Sequence, residues 1–323
     1  MQKKKILILG GTGFIGRNLV LYFSKKVKFE VIATYNKKKK FNCKNVKWLK
    51  ADLTNPLDVE KVIKDIDIII QAAATTSGSK DIVEKPMLHV TDNLIMNSLI
   101  FRKAHEKNVN HIIFFSCTVM YQSSKVGLKE NDLDLNKKIH DKYFGVGWTK
   151  VTLEKQCEFY ASLGKTKFTV LRHSNIFGPY DKFDLEKSHV FGATVTKVLS
   201  SRDGDKITVW GEGKEGRDLL YIDDLINAVD LILTNQLSNF STYNIGYGKS
   251  IQIKDLVKKI VKFSGKNLTI EYDTSKPSIE TNLFLNCKKI FKEIGWKRST
   301  NFDDAIKLTI KWWKKNINVE KKN

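Results

Sequence analysis

The fold is decided near the N-terminus by the run Ile6-Leu7-Ile8-Leu9-Gly10-Gly11-Thr12-Gly13-Phe14-Ile15-Gly16. Four consecutive apolar residues predict a buried strand, and the apolar pattern after the glycines predicts a helix up to Lys25. Glycines between such a strand and helix let the backbone turn tightly and approach a pyrophosphate, whose charge the helix N-terminus attracts. We therefore expect a dinucleotide to be held by Gly10, Gly13, Phe14, Ile15 and Gly16.

The alternation of strand and helix continues over the first 170 residues. Short apolar runs rich in Ile, Val and Phe predict further strands at 30–34, 46–49, 66–71, 111–116 and 168–172. Amphipathic stretches predict helices at 13–25, 59–64, 92–108 and 151–163. Such alternation is typical of a Rossmann-type α/β fold, a doubly wound parallel sheet with helices on both faces.

The alternation ends near Asn175. Beyond it lie loops, two apolar stretches at 190–199 and 225–233, and a helical pattern at 303–313. We assign residues 1–174 to a dinucleotide-binding domain, to which the chain returns at about 222–247. Residues 175–323 are mainly a smaller substrate-binding lobe, expected to close over the carboxyl ends of the strands, where ligands bind in such folds.

Composition narrows the class of protein. The 323 residues include 56 Lys and Arg against 35 Asp and Glu, a formal charge of +21, yet only six of the basic residues are Arg and the lysines are dispersed. Dispersed lysine is typical of a solvated surface, whereas proteins that read nucleic acid more often cluster their charge and use Arg. Nucleic acid is therefore not the expected partner, although the charge attracts phosphate-bearing ligands.

The apolar runs and the cysteines indicate the compartment. No run approaches 18 apolar residues, and the four cysteines lie far apart without a CxxC pair. We expect a cytoplasmic protein with free thiols, no membrane segment and no bound metal.

The residues at the end of the second predicted strand indicate which dinucleotide the protein binds. A site specific for NAD is expected to place Asp or Glu there, on the ribose hydroxyl. Residues 31–37 read Val-Ile-Ala-Thr-Tyr-Asn-Lys and contain no acid, which favours the 2′-phosphate of NADP over NAD, with Asn36 at the site. We expect Asp52 and Leu53, after the third strand, to contact the adenine. Ala73, after the fourth, is expected to line the dinucleotide.

With these residues in place, the sequence resembles the extended short-chain dehydrogenases of the NAD-dependent epimerase/dehydratase family over nearly its whole length. Within that family it is most similar to the GDP-fucose synthases, through residues 72–93, 178–190 and 209–224. The resemblance implies hydride transfer with NADP(H) at C4 of a GDP-linked 4-keto-6-deoxy sugar, and a homodimer packed through residues 93–108 and 151–163. The alternative is a nucleotide-sugar epimerase, 4-dehydrogenase or 4,6-dehydratase with a tightly held, internally recycled cofactor.

The family's proton donor is absent from its usual place. In the family a Tyr exchanges the proton of the sugar hydroxyl at the carbon that transfers hydride. A Lys four residues later, on the same helix face, lowers the pKa of the Tyr phenol and holds the nicotinamide ribose. Lys150 matches that Lys, but Val146 stands at the position of the Tyr. Tyr143 is one replacement, provided that Gly145 and Gly147 break the helix. A hydroxyl or a histidine elsewhere is another.

The family's catalytic Ser or Thr is displaced as well. It stands four residues before a Tyr, and counting back from Tyr121 gives Cys117, with Thr118 beside it. The Cys that GDP-fucose synthases use for epimerisation is replaced by Val119, and the Asp-Glu pair of the dehydratases by Thr118 and Val119. Neither proton-transfer set is intact, which leaves open a dinucleotide-binding sensor without turnover.

Other family positions are retained. The resemblance makes His189 an acid in epimerisation and Arg217 the group that grips the nucleotide diphosphate. Lys197 falls where a substrate-binding Arg is expected, and Asn175 matches a substrate-binding Asn. Cations facing a diphosphate are physically reasonable. The implied catalytic residues are thus Lys150, His189, Tyr143, Thr118 and Cys117.

Overall fold

The computed structural model describes residues 2–76, 84–185, 188–275 and 281–320. Within these ranges, seven parallel strands form the central sheet. Numbered in chain order, they are β1 (Lys4–Leu9), β2 (Phe29–Tyr35), β3 (Val46–Lys50), β4 (Ile68–Gln71), β5 (His111–Phe115), β6 (Lys167–His173) and β10 (Phe240–Ile245). Their order across the sheet is β10-β6-β5-β4-β1-β2-β3. The Rossmann-type fold predicted from the alternation is confirmed.

Helices cover both faces of this sheet. They are α1 (Phe14–Phe23), α2 (Pro56–Val62), α3 (Thr91–Glu106) and α4 (Phe144–Ser162). Ile6 and Ile8 of β1 belong to one apolar core with α1, whereas Leu7 and Leu9 belong to the core on the other side with α2, α3 and α4. Because successive side chains of a strand point to opposite faces, a strand covered on both sides reads as a continuous apolar run.

The helix that carries Lys150 differs from its prediction. The sequence pattern predicts it at 151–163, but α4 begins at Phe144 and contains both Gly145 and Gly147. A Cβ at Gly145 would lie 3.0 Å from Val90 Cγ2, and one at Gly147 would lie 2.9 Å from Ile139 Cγ2. The glycines therefore allow close packing, and the condition set for Tyr143, a break of the helix at these glycines, is not met.

Beyond Asn175 the chain is more regular than predicted. Strands β7 (Asn175–Phe177), β9 (Gly216–Tyr221) and β11 (Ser250–Gln252) form one small sheet, and β8 (Lys206–Trp210) pairs with β12 (Thr269–Asp273). The helices are α5 (Val190–Ser200), α6 (Ile222–Asn235), α7 (Ile253–Ser264), α8 (Lys288–Ile294) and α9 (Phe302–Glu320). No helix in the described ranges is long and apolar enough to span a membrane. Part of the stretch 72–93 that carries the resemblance, residues 77–83, lies outside the described residues.

A buried ion pair ties β6 to α4. Arg172 Nη2 donates to Glu154 Oε2 at 2.7 Å, and less than a tenth of either side chain is exposed. Glu154 Oε1 also accepts from Ser116 Oγ at 2.5 Å, and Arg172 Nη1 donates to the Tyr121 hydroxyl at 2.8 Å. Because these charges are paired and hydrogen-bonded, the network holds the carboxyl ends of β5 and β6 against α4.

Arg172→Met tests the contribution of this network to stability. It leaves the Glu154 carboxylate buried without its partner, and we expect the free energy of unfolding to fall by about 3–5 kcal/mol. The control Lys155→Met breaks the exposed Lys155–Glu158 pair and should cost at most about 1 kcal/mol. Urea denaturation of both variants measures the difference, and equal losses would contradict the prediction.

Candidate active site

The glycine turn between β1 and α1 is shaped by contacts that exclude side chains. A Cβ at Gly16 would lie 2.1 Å from Gly10 O, and one at Gly10, where φ is +75°, would lie 2.6 Å from Ala73 Cα. Gly13 is exposed, and among the described residues a Cβ there would meet only Gly10 O, at 3.3 Å. Packing within the chain therefore requires Gly10 and Gly16, whereas Gly13 leaves an open surface.

That open surface is the N-terminus of α1. Gly13 is its N-cap, no side chain caps the free N–H groups, and the first turn, which Phe14 and Ile15 open, contains no acidic residue. Unpaired backbone N–H groups and the positive end of the helix dipole attract anions. The residues present therefore fit the pyrophosphate of a dinucleotide, and Ala73 packs directly against Gly10 of the same turn.

The residues expected around the adenosine lie at the same edge of the sheet, because β1 to β4 run parallel. Asn36 directly follows β2 and is exposed, and Leu53, just after β3, is buried. Asp52 Oδ1 accepts from Thr54 Oγ1 at 2.7 Å and from Thr54 N at 3.0 Å. These hydrogen bonds hold the pKa of the Asp52 carboxyl below its usual value, so it is charged at neutral pH.

Sequence reasoning missed Arg17 at this edge. Its guanidinium lies between two aromatic rings, 4.4 Å from the centroid of Phe41 and 4.1 Å from that of Tyr180. Its Nε is buried and lacks a hydrogen-bond partner. The available signal was a basic residue directly after Gly16, but its ring partners are distant in sequence.

Lys150 lies at the carboxyl end of β5. Its Nζ donates to Phe115 O at 2.9 Å and lies 4.8 Å from the centroid of the Phe114 ring. Desolvation lowers the pKa of the ammonium, and the nearby Cys117 and Glu154 oppose this shift. Val146, one helical turn earlier on the same face, puts an aliphatic side chain where the family has its phenol.

The residues that follow β5 offer a thiol in place of the expected hydroxyl. Ser116 Oγ is committed to Glu154. Cys117 is half-buried, and desolvation raises the pKa of its thiol while the charge of Lys150 lowers it. Cys117 is therefore protonated at neutral pH and close to Lys150. Thr118 is also half-buried, and its hydroxyl makes no hydrogen bond to the described residues.

Tyr143 reaches the site without any break in the helix, because it is the residue directly before α4. Its ring packs beside Met120 and Ile139. Desolvation raises the pKa of the phenol, while the charge of Arg217 lowers it and Cys117 raises it. Tyr143 therefore lies within electrostatic range of both Arg217 and Cys117.

Two histidines lie near these residues. His189, at the N-cap of α5, is reached by solvent but surrounded by protein, and desolvation lowers its pKa, as does Lys182. Sequence reasoning missed His173, the last residue of β6, although a histidine directly before Ser174 and Asn175 was a signal. Its Nδ1 lies 2.7 Å from Ser174 O, and desolvation lowers its pKa to about 4. Both imidazoles are neutral at neutral pH.

These side chains share the properties of a cleft. Lys150, Cys117, Tyr143 and His173 are half-buried and His189 is exposed, yet desolvation is the main cause of every shift in their pKa values. Groups that water can reach but protein surrounds occur in concave sites. Several perturbed titratable groups in one such place are typical of active sites.

Arg217, whose charge lowers the pKa of Tyr143, is hydrogen-bonded to the wall of a cavity of about 460 Å³. Its Nη1 donates to Thr281 O at 2.8 Å and to Thr281 Oγ1 at 2.9 Å. Thr281 lines the cavity, together with Ser123, Gly211, Glu212, Lys214, Glu215, Thr274 and Asn282. A cation is thus held at the wall of the cavity and within electrostatic range of Tyr143.

The other two expected substrate residues contact the lobe itself. Asn175 Nδ2 donates to Asp218 O at 3.4 Å, a long contact in the small sheet of β7 and β9. Lys197 Nζ donates to Thr208 O at 2.5 Å, and desolvation lowers the pKa of its ammonium. Neither contact saturates the donors of these side chains.

Comparison with known proteins identifies the family. Residues 6–246 match the NAD dependent epimerase/dehydratase family, and the chain belongs to it. It is 25% identical over 316 residues to GDP-L-colitose synthase of Yersinia pseudotuberculosis, covering 96% of this chain and 97% of that one. It is 23% identical over 332 residues to GDP-L-fucose synthase of Escherichia coli K12, covering 98% of each.

A solved structure shows the same fold. UDP-glucose 4-epimerase of Thermotoga maritima, determined with UDP-glucose, matches with a TM-score of 0.85 at 23% identity, covering 97% of this chain and 99% of that one. The family consists of NAD(P)-dependent nucleotide-sugar enzymes, and this chain is one of them. The family resemblance read from the sequence is confirmed.

Gly13→Ala separates ligand contact from folding. Its Cβ needs only a small shift of Gly10 O, so the melting temperature should stay close to that of the wild type. Because the methyl group covers the N-terminus of α1, we expect affinity for the dinucleotide to fall at least ~10-fold, measured by isothermal titration calorimetry. In Gly16→Ala the Cβ would lie 2.1 Å from Gly10 O, and the melting temperature should fall. Unchanged affinity in Gly13→Ala would contradict the assignment.

Proposed function

We propose that this enzyme reduces C4 of a GDP-linked 4-keto-6-deoxy sugar with NADPH, with or without epimerisation at a neighbouring carbon. One observation supports the proposal: the candidate catalytic side chains form a series of electrostatic neighbours that leads to a residue bonded to the wall of the cavity. Lys150 is close to Cys117, Cys117 is close to Tyr143, and Tyr143 is close to Arg217. Arg217 in turn bonds Thr281, which lines the cavity.

The order of these residues matches the order of groups in the reactants. A diphosphate paired with Arg217 directs the sugar toward Tyr143 and Cys117 and the nucleoside toward the cavity. A volume of about 460 Å³ is within the usual range for a small-molecule site. The nicotinamide end of the cofactor then lies at Lys150, at the carboxyl edge of the sheet where the glycine turn also lies.

The proposed chemistry divides the work among these side chains. NADPH supplies the hydride when bound. The Lys150 ammonium uses one donor on Phe115 O and has two left for ribose hydroxyls. Tyr143 gives its phenolic proton to the C4 oxygen, which leaves a phenolate that the positive charge of Arg217 stabilises. The Cys117 thiol donates a hydrogen bond beside it, in the place of the family hydroxyl, with Thr118 next to it.

Epimerisation would use His189. A neutral imidazole accepts a proton from a carbon next to a ketone, and inversion is completed when a protonated group on the opposite face of the sugar gives a proton back to that carbon. Since desolvation lowers the pKa of His189, the imidazole is in the accepting form at neutral pH. His173 has its Nδ1 at Ser174 O, so a proton on Nδ1 leaves Nε2 as an acceptor.

The nucleotide, the assembly and the compartment belong to the proposal as well. We assign GDP as the nucleotide because the relatives reported above are synthases of GDP-linked sugars. Arg217, Lys197 and Asn175 hold it. The homodimer packs through α3 and α4, where the apolar side chains of Ile95, Phe159 and, directly after α4, Leu163 are exposed. The cysteines are all free thiols, which suits the reducing cytoplasm. Residues 175–323 act mainly as the substrate-binding lobe.

A direct assay tests the reaction. Purified protein is mixed with NADPH and GDP-4-keto-6-deoxymannose, cofactor oxidation is followed by absorbance, and the sugar is analysed by NMR. We expect stoichiometric oxidation and a C4 alcohol. If no 4-keto nucleotide sugar supports oxidation, the proposal fails. Product formed without net change in the cofactor would instead indicate an epimerase that recycles its cofactor.

Tyr143→Phe tests the proton donor. Loss of the phenolic hydroxyl should lower kcat about 100-fold or more, the usual contribution of a general acid, with little change in KM. Tyr160→Phe, near the far end of α4, is the matched control and should keep the wild-type rate. Adding Val146→Tyr to Tyr143→Phe should restore part of the rate, because it puts a phenol one turn before Lys150. A fully active Tyr143→Phe would move the proton transfer to a histidine.

A further inference from the structure

Three cations lie together beside the glycine turn. Partial desolvation lowers the pKa of the Lys38 ammonium, and the charges of Arg17 and Lys182 lower it further. Within the described ranges, none of the three forms an ion pair with a carboxylate. The neighbouring Asp181 Oδ1 accepts from Lys182 N, and desolvation raises the pKa of that carboxyl to about 7. Like charges left close together without a counter-ion are arranged to receive an anion.

Arg17 is the most constrained member of this cluster. The rings of Phe41 and Tyr180 cover its guanidinium, with centroids at 4.4 and 4.1 Å, and so fix the plane of the group. Its Nε is buried without a partner, which is costly in a protein unless a ligand supplies the acceptor. A guanidinium held by its faces presents its N–H edge, the edge that binds phosphate through two hydrogen bonds.

The position of the cluster identifies the phosphate. Arg17 N donates to Gly13 O at 2.8 Å, so Arg17 lies one turn after the open N-cap of α1, and its side chain leans back toward that end. Lys38 and Phe41 follow β2, whose carboxyl end meets the adenosine ribose in such folds. An anion bound by these residues would therefore be a group on the ribose, distinct from the pyrophosphate at the helix N-terminus.

We propose that Arg17 and Lys38 bind the 2′-phosphate of NADP, with the guanidinium of Arg17 held in place by Phe41 and Tyr180. The inference rests on the proposed use of NADP(H). Tyr180 belongs to residues 178–183, which reach across the edge of the sheet. Pro179 O accepts from Asn18 Nδ2 at 3.0 Å, and Lys182 Nζ donates to Thr76 O at 2.9 Å. Discrimination between the two dinucleotides therefore depends in part on the segment that leads into the lobe.

Binding of nucleotide fragments tests this assignment without any turnover. Isothermal titration calorimetry compares 2′,5′-ADP with 5′-AMP, which differ only in the 2′-phosphate, and NADP⁺ with NAD⁺. We expect Arg17→Gln to weaken binding of 2′,5′-ADP and NADP⁺ about tenfold or more, the value of charge-assisted hydrogen bonds, and to leave 5′-AMP and NAD⁺ within about twofold. Lys38→Ala should act in the same direction. Lys39→Ala, which removes an exposed charge from the same run, is the matched control and should change neither.

Each outcome decides between distinct contacts. Equal losses for both members of each pair would place Arg17 on the pyrophosphate and overturn the proposal. Wild-type protein that binds 2′,5′-ADP no better than 5′-AMP, but binds NAD⁺, would overturn it and leave the oxidoreductase reaction standing. Failure to bind either dinucleotide would overturn both. If Arg17→Gln is unfolded by circular dichroism, Arg17→Lys and Lys38→Ala provide the comparison, and unchanged selectivity in both would count against the assignment.

Discussion

The contact between Gly16 and the carbonyl oxygen of Gly10 is the constraint on which the site depends. The approach leaves no room for a Cβ at residue 16, which would lie 2.1 Å from Gly10 O, and it brings α1 directly against the end of β1. With the helix in that position, its N-terminus opens at the carboxyl edge of the parallel sheet. The places of Gly13 and Arg17 follow from that backbone contact, and the pairing of β1 with β2 brings the residues after β2 to the same edge.

A second constraint explains why the hydroxyl of Ser116, directly after β5, is unavailable for catalysis. Ser116 completes the hydrogen bonds of Glu154, which is buried with Arg172. Breaking such a pair is costly because a buried charge is left without its partner. Ser116 is therefore part of the scaffold, and the next residue, Cys117, faces Lys150 instead. A thiol is a weaker hydrogen-bond donor than a hydroxyl, which increases the demand on the group that supplies the proton.

Local sequence determines what could be predicted. The glycine turn and the position of Lys150 depend on residues adjacent in sequence, so their pattern could be read directly. Tyr143 could be identified from the sequence as a candidate proton donor, but it needs no break in the helix at Gly145 and Gly147. Helix α4 starts immediately after Tyr143 and accommodates the two glycines through close packing. The small strands of the lobe and the rings around Arg17 depend on partners far along the chain. No local pattern encodes those contacts.

The distribution of positive charge connects these parts. The net charge of +21 comes mainly from dispersed lysines, which raise the general attraction for anions but select none. Selection depends on the few cations that aromatic rings, carbonyl oxygens or burial hold in place: Arg17 between two rings, Lys150 on Phe115 O, and Arg217 on Thr281. A fixed cation loses less conformational entropy when it binds than a mobile surface lysine does. Under the proposed assignments the three lie at the 2′-phosphate, the nicotinamide ribose and the sugar diphosphate. The distances between these three cations then determine which dinucleotide and which nucleotide sugar can bind at the same time.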